Sequence, residues 1–400
     1  MATGPLNGIN VIDLTAHFAG QFGSMILADL GANVVKIEDP QVKANMGRGF
    51  SADPRFTYKG DDSFFLAFNR NKKSIALDLK TPQGKQVFND LVEKFGDVVF
   101  DNFRPGVLER LGADYDTLRK INPRVICCSV TSFGDSGPSS GQVMLDVLAQ
   151  AVSGALSFSR YGVGRPVQAG FGVADSAAGM FAAHGVLAAL YSRERTGMGQ
   201  KVDTSLVDGQ IAVASQNAMR YFVSGEPAEE SGPTSDVNPL FRCYRTKDDF
   251  IAIAPHHRFW KNLARALERE DLARTFDSPA KVMDKSLRLA ETLQDIFATR
   301  TTAEWLDILL KDGVPCAPVN TLAQALSHPQ VLHRKMVVDV DDPSGGHIKM
   351  VGNPIKMSGV GEQQYGYPPR LGQHTEEILC GHLGYSGDKM AELRQSGTIR

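Results

Sequence analysis

Asp175 sits in Gly170-Phe171-Gly172-Val173-Ala174-Asp175-Ser176-Ala177-Ala178-Gly179, one carboxylate among small residues at the start of an apolar helical pattern. Ionised aspartate is a weak nucleophile, yet it can attack an activated carbonyl and carry the acyl group as a covalent intermediate. Met180, Ala183, Leu187 and Leu190 recur at roughly helical spacing, so a buried helix is expected from Ala174 to about Arg193–Arg195. Asp175 then falls in its first turn. There free backbone N–H groups and the helix dipole would keep it ionised, and the flanking Gly and Ala leave room for a carbonyl. Capping the helix is the commoner use of Asp at such a place, and this segment alone leaves both readings open.

A second group lies in Asn102-Phe103-Arg104-Pro105-Gly106, followed by Arg110, with two arginines six residues apart around a Pro-Gly turn at an expected strand end. Guanidinium forks match phosphate oxygens, and Phe103 could lie against a flat base. Pairing of Arg110 with Glu109 or another acid is the alternative. Asn69-Arg70-Asn71-Lys72-Lys73 and Lys80 add cations, for which solvated charge is the ordinary meaning. His256, His257 and Arg258 close one strand and open a helix, where they could face a cleft or simply cap and solvate.

An α/β scaffold is expected to position these groups. Residues 9–14, 33–37, 74–79, 98–100 and 125–130 read as strands, and 20–30 and 81–95 as helices, the latter with Pro82 in its first turn. The first turn, Thr15-Ala16-His17-Phe18-Ala19-Gly20, lacks the G-x-G-x-x-G that brings backbone up to a pyrophosphate, although Glu38 stands where a ribose-binding acid would. Residues 44–63 read as a long polar loop. A Pro/Gly/charge-rich boundary at 224–238 opens a second unit, with a strand at 250–254, a helix at 258–268 and helices within 287–311. A Gly/Pro-rich tail ends in a helix near 375–381. The expected division is 1–224 for a large unit, 225–330 for a small one, and 331–400 as a segment returning to the first.

Composition narrows the function classes. The 400 residues are 42% hydrophobic and 22% charged with a formal charge of −2, which gives no global field for nucleic acid or an anionic membrane. The start resembles no secretory signal, and no later run reads as an uncharged apolar span, so a soluble, intracellular protein is expected. Five cysteines fit neither a disulfide framework nor a zinc knuckle, and nine histidines without an H-x-x-x-H pattern give no support for a metal site.

Asn102–Gly112, Ala174–Gly179, Asn69–Lys80, Thr196–Val202, Gly313–Val319 and Leu371–Leu379 together resemble the family III CoA-transferases, the carnitine, bile-acid and formyl/oxalate type, in order and spacing from about Leu6 to Leu383. The resemblance implies a Rossmann-like large domain plus a smaller α/β domain, with two chains interlocked as a homodimer. It also implies coenzyme A or an acyl-CoA as substrate, a carboxylate acceptor, no tightly bound cofactor, and no nucleic acid or membrane partner. On it, Asp175 is the nucleophile, and Phe18, Ala19, the Leu77–Lys80 strand end, Asn102, Phe103, Arg104 and Arg110 contact CoA. Asp146 helps orient the site. Asp39 stands where formyl-CoA transferases carry an arginine. The family's α-methylacyl-CoA racemases would have a histidine about thirty residues before Asp175, where this chain reads Met144-Leu145-Asp146-Val147. Racemase activity is therefore the alternative within the family, and a non-catalytic CoA-binding protein the alternative outside it. A cytoplasmic location is expected, or an organellar matrix in a eukaryote. The acceptor is expected to be a short diacid whose far end meets His256, His257 or Arg258.

Overall fold

The structure is a computed structural model, and it describes residues 4–41, 47–49, 53–159, 166–226, 238–276, 278, 282 and 286–400. Six strands form the central sheet: β1 (Asn10–Asp13), β2 (Asn33–Glu38), β3 (Lys72–Ala76), β4 (Val98–Asp101), β5 (Ile126–Thr131) and β6 (Lys201–Ser205). They are all parallel, in the order β3-β2-β1-β4-β5-β6. In this doubly wound order the winding reverses between β1 and β4, and in sheets of this kind the ligand crevice lies beyond the carboxyl ends of those two strands.

Between the strands run α1 (Phe18–Asp29), α2 (Ser63–Phe68), α3 (Pro82–Lys94), α4 (Val107–Leu111), α5 (Tyr115–Ile121), α6 (Asp146–Val152) and α7 (Val173–Thr196), and α8 (Leu206–Val213) follows β6. Strand alternation sends Val11, Val34, Val98, Phe100, Ile126 and Cys128 into one core with α1 and α7. Ile12, Val35, Ile75, Val99 and Cys127 enter the other, with α3 and α5. Covered on both faces, the strands read as nearly continuous apolar runs. Pro82 opens α3 as expected, and Thr81 Oγ accepts from the N–H of Gly84 at 2.9 Å. α7 is long and apolar enough to cross a membrane by length and composition alone, with a mean hydropathy of 1.4 over an 18-residue window. Half of that window is buried, and α7 packs on α1, α8 and β5 as a core helix.

The second unit begins with α9 (Ser215–Ser224), followed by the strands β7 (Arg242–Arg245) and β8 (Phe250–Ile253). The helices α10 (Trp260–Ala266), α11 (Glu270–Thr275), α12 (Ser286–Phe297) and α13 (Thr302–Lys311) come next, then β9 (Cys316–Pro318), α14 (Leu322–Ser327) and α15 (Pro329–His333). β9-β8-β7 is antiparallel, and its core gathers Tyr244, Trp260, Leu263, Leu293, Phe297 and Trp305.

The tail then forms the hairpin β10 (Val337–Asp341) and β11 (His347–Val351) and the helices α16 (Thr375–Gly381) and α17 (Gly387–Gln395). Ile378, Leu379, Met390, Leu393 and Ile399 join the second core of the large unit. Thr375 Oγ accepts from the N–H of Ala76, and Thr398 O from that of Asp78, so the tail covers the edge strand β3. The chain divides into one compact unit of residues up to Ser153, Ala169–Ala214 and His333–Arg400, and another of Gly154–Gln168 and Ser215–Leu332. The first boundary thus falls ten residues before the expected one, and a short earlier segment joins the second unit. Of the loop expected at 44–63, residues 44–46 and 50–52 lie outside the described residues. Thr57–Tyr58 and Asp61–Asp62 pair as a hairpin, and α2 begins at Ser63.

Candidate active site

β1 delivers the chain to the crevice through a buried network. Asp13 accepts from the N–H and hydroxyl of Thr15 at 2.8 and 2.6 Å and from Ser24 Oγ at 2.8 Å, and pairs with Lys72 at 2.9 Å. Both members of that pair are fully buried, and Lys36 Nζ donates to the carbonyl of Thr15. Burial works against the charge of Asp13, but Lys72 and Lys36 beside it take its pKa down to about 2. Arg70 is buried against Asp29 at 2.5 Å. The reading of Arg70 and Lys72 as solvated charge is therefore corrected: both are buried, Lys72 beneath the β1–α1 turn and Arg70 at the far end of α1. Glu38 offers no free carboxylate to a ribose, because Arg48 holds both of its oxygens at 2.6 and 2.9 Å and Ser74 Oγ donates to it at 2.6 Å.

The turn this network supports carries His17 and Phe18. Asn102 Oδ1 accepts from the N–H of Ala16 at 2.9 Å, joining the two loops of the crevice. On the other side Asp101 accepts from the N–H of Phe103 at 3.0 Å and from Ser129 Oγ at 2.7 Å. Burial raises the pKa of Asp101 to about 7. Pro105 and Gly106 then turn the chain, Gly106 at φ +83°, into α4. Arg104 and Arg110 are exposed and, among the described residues, neither is ion-paired, so the expected alternative of an Arg110–Glu109 pair is not found. His17, which sequence reasoning passed over, stands near Arg104; lost hydration and that guanidinium lower its pKa. Its position directly after β1, at the point where the winding reverses, was the available signal.

Phe18 stacks on Phe68 at 4.4 Å and meets Phe22 and Phe64 edge-on. Its ring also approaches Gly172: a Cβ there would stand 2.8 Å from Phe18 Cε1 and 3.4 Å from Asp175 Oδ2. Phe18 and the Asp175 carboxylate are thus brought to the same glycine. Ala19 and Leu77 belong to the core, so their side chains are closed to a ligand. Lys80 is exposed but paired with Asp39 at 3.0 Å. His256 and Arg258 are exposed in the second unit, Arg258 over the ring of Phe259 at 4.7 Å, and the side chain of His257 lies outside the described residues.

Asp175 lies half-buried in the first turn of α7. The expectation that free N–H groups would hold it ionised is corrected. Asp146 Oδ1 accepts from the N–H groups of Ala174 at 2.8 Å and Asp175 at 3.2 Å, and the N–H of Ser176 bonds to Gly172 O. Burial and the charge of Asp146 raise the pKa of Asp175 to about 7. Gln150, also unread in the sequence, donates from Nε2 to Asp146 Oδ2 and accepts from the N–H of Ala169 at 3.2 Å. The i, i+4 spacing of Asp146 and Gln150 was the signal for that contact.

Residues 6–375 match CoA-transferase family III, so the chain belongs to that family and is a CoA-transferase. It is 33% identical to the succinyl-CoA:glutarate CoA-transferase of Mus musculus over 402 residues, covering 99% of this chain and 90% of the relative. It is 34% identical to the succinyl-CoA:mesaconate CoA-transferase of Haloarcula hispanica over 386 residues, covering 94% and 96%. A crystal structure of a CAIB/BAIF family protein from Brucella suis superposes with a TM-score of 0.83 at 29% identity, covering 94% of this chain and 99% of that one.

Proposed function

We propose that this chain moves CoA from an acyl-CoA donor to a short dicarboxylate, with Asp175 as nucleophile. A carboxylate oxygen of Asp175 attacks the thioester carbonyl; the new C–O bond forms as the C–S bond breaks, and the thiolate leaves with the electron pair. The thiolate then attacks the aspartyl carbonyl of this mixed anhydride, releasing the donor acid and leaving an aspartyl-CoA thioester. The acceptor carboxylate runs the two steps in reverse. Thioester is exchanged for thioester, so the sequence needs no ATP. The backbone N–H groups of Gly170–Gly172 are candidates for holding the oxyanions, since those of Ala174 and Asp175 already serve Asp146.

The observation that carries this reading is the half-buried Asp175 beside Gly172 and Phe18, with basicity raised to about 7. A nucleophile with a pKa near neutrality combines a usable ionised fraction with reactivity. The exposed Arg104 and Arg110 suit the phosphates of CoA, and the strand order supports a Rossmann-like reading of the large unit. Racemase chemistry is disfavoured because Asp146, near where its histidine would stand, has both oxygens engaged.

The acceptor reading rests on the relatives named for succinyl-CoA with glutarate or mesaconate. The far carboxylate of such a diacid calls for a cation, and Arg258 with His256 and His257 is the cluster the sequence offers. An interlocked homodimer without a tightly bound cofactor, in the cytoplasm, completes the proposal. The test is kcat/KM for succinate against butyrate in the parent and in Arg258→Ala. Preference for succinate that is lost in the variant supports the assignment. Preference for butyrate in the parent, or unchanged discrimination in the variant, removes it.

A further inference from the structure

Four phenylalanines gather beside Asp175, and the covalent chemistry of transfer uses none of their rings. Phe18 and Phe22 belong to the head of α1, Phe64 and Phe68 to α2. Phe18 stacks on Phe68 with ring centres 4.4 Å apart, and Phe22 and Phe64 each meet both of those rings edge-on at 5.2–6.4 Å. Stacked and edge-to-face contacts of this kind fix the rings against one another. Yet all four are only partly buried, whereas Phe65 and Leu66 between them on α2 lie in the interior. A cluster that stops half-way leaves apolar surface in water, which is unfavourable until something apolar covers it. That surface includes the ring of Phe18, which comes to Gly172 together with the Asp175 carboxylate. No side chain fits at Gly172, since a Cβ would stand 2.8 Å from the ring. Two residues earlier there is room: a Cβ on Gly170 would meet nothing within 4 Å.

An acyl group whose carbonyl carbon is within reach of Asp175 brings its next one or two carbons to this ring. A hydroxyl or charge on those carbons would lose water there and gain no hydrogen bond from a phenyl group. A methyl branch or a carbon–carbon double bond would instead cover ring surface. We propose that Phe18, held in place by Phe68, Phe22 and Phe64, is a specificity-determining residue: its ring packs on the carbons adjoining the reacting carboxyl and selects acids that are methyl-branched or unsaturated there. This rests on the assignment of Asp175 as nucleophile. It gives the ring a role separate from any contact with CoA, and it narrows the short diacids to those whose chain carries an apolar branch or a double bond.

Succinate and methylsuccinate differ by one methyl group, so kcat/KM for the two acceptors, with one acyl-CoA donor, reads the wall directly. The parent should favour methylsuccinate by about fourfold or more, the worth of one buried carbon. Phe18→Ala should bring that ratio to within about twofold of unity, because the surface the methyl group covers is gone. Loss of a CoA contact, or a general loosening of the fold, would lower both acceptors together and leave the ratio where it was. If Phe18→Ala does not fold, Phe68→Leu takes away the ring stacked on Phe18 and should also reduce the ratio. Preference for succinate in the parent, or a parent-like ratio in the folded variant, would overturn the proposal. Asp175→Asn, assayed alongside, separates the two claims. If it retains transfer, the nucleophile assignment fails; if it is inactive while the Phe18 or Phe68 variant keeps the parent's ratio, only the role of the ring fails.

Discussion

Gly179 meets the carbonyl oxygen of Ala19 so closely that a Cβ on Gly179 would stand 2.5 Å from it, with Gly23 N and Phe22 Cδ1 at 3.2 Å. Gly179 lies one helical turn beyond Asp175, and Ala19 follows Phe18, so this contact sets how the head of α1 faces the nucleophile. The small residues of the Ala174–Gly179 segment therefore serve helix packing as well as access to the carboxylate.

Gly179→Ala should force α1 and α7 apart, since the atom it meets is backbone and cannot rotate away. A cost of about 1–3 kcal/mol is expected for overpacking of this kind. Thermal unfolding measures it, and an unchanged Tm would show that the helices part freely.

The pH dependence of stability should report on Asp175. Burial and the neighbouring Asp146 push its carboxyl up to about 7 in the folded chain from the ordinary 3.8, so the folded state holds the extra proton over that interval. The resulting stabilisation is complete below about pH 4 and lost as the pH rises through 7. Asp175→Asn does not titrate, so its Tm relative to the parent should climb between pH 4 and pH 8. A difference independent of pH would contradict the raised value.

Lys72→Met should leave Asp13 charged, buried and without its main partner, a change that costs about 3–5 kcal/mol in comparable sites. Replacing Asp13 by Asn in the same chain should recover part of the loss, as denaturant unfolding would show. No recovery would mean that Lys72 acts by packing alone.

Arg104→Ala and Arg110→Ala should each weaken the hold on the CoA ester by about 1.5–3 kcal/mol, the worth of a hydrogen bond to a charged group. The effect should fall on KM for the donor and spare that for the acceptor. Unchanged donor KM in both variants would remove these residues from the site.

The parallel sheet was legible because its strands are apolar on both faces, and the helix carrying Asp175 because its apolar spacing is regular. β6 was not read as a strand: Lys201-Val202-Asp203-Thr204-Ser205 is the outer strand beyond β5 and carries polar residues that a central strand would not. The burial of Arg70 and Lys72 was hidden because their partners, Asp29 and Asp13, lie 41 and 59 residues away in sequence. The site followed the same rule. Asp175 showed through its neighbours in the chain, whereas its altered basicity depends on burial in the folded chain and on Asp146, 29 positions earlier.

The account depends most on a covalent bond at Asp175. Incubating the enzyme with an acyl-CoA and hydroxylamine, then mapping peptides by mass spectrometry, tests it directly. A hydroxamate at Asp175 that requires the acyl-CoA and is absent in Asp175→Asn is the predicted result. Transfer activity in Asp175→Asn within about tenfold of the parent, roughly 1.4 kcal/mol in barrier, or a hydroxamate at another residue, would contradict it.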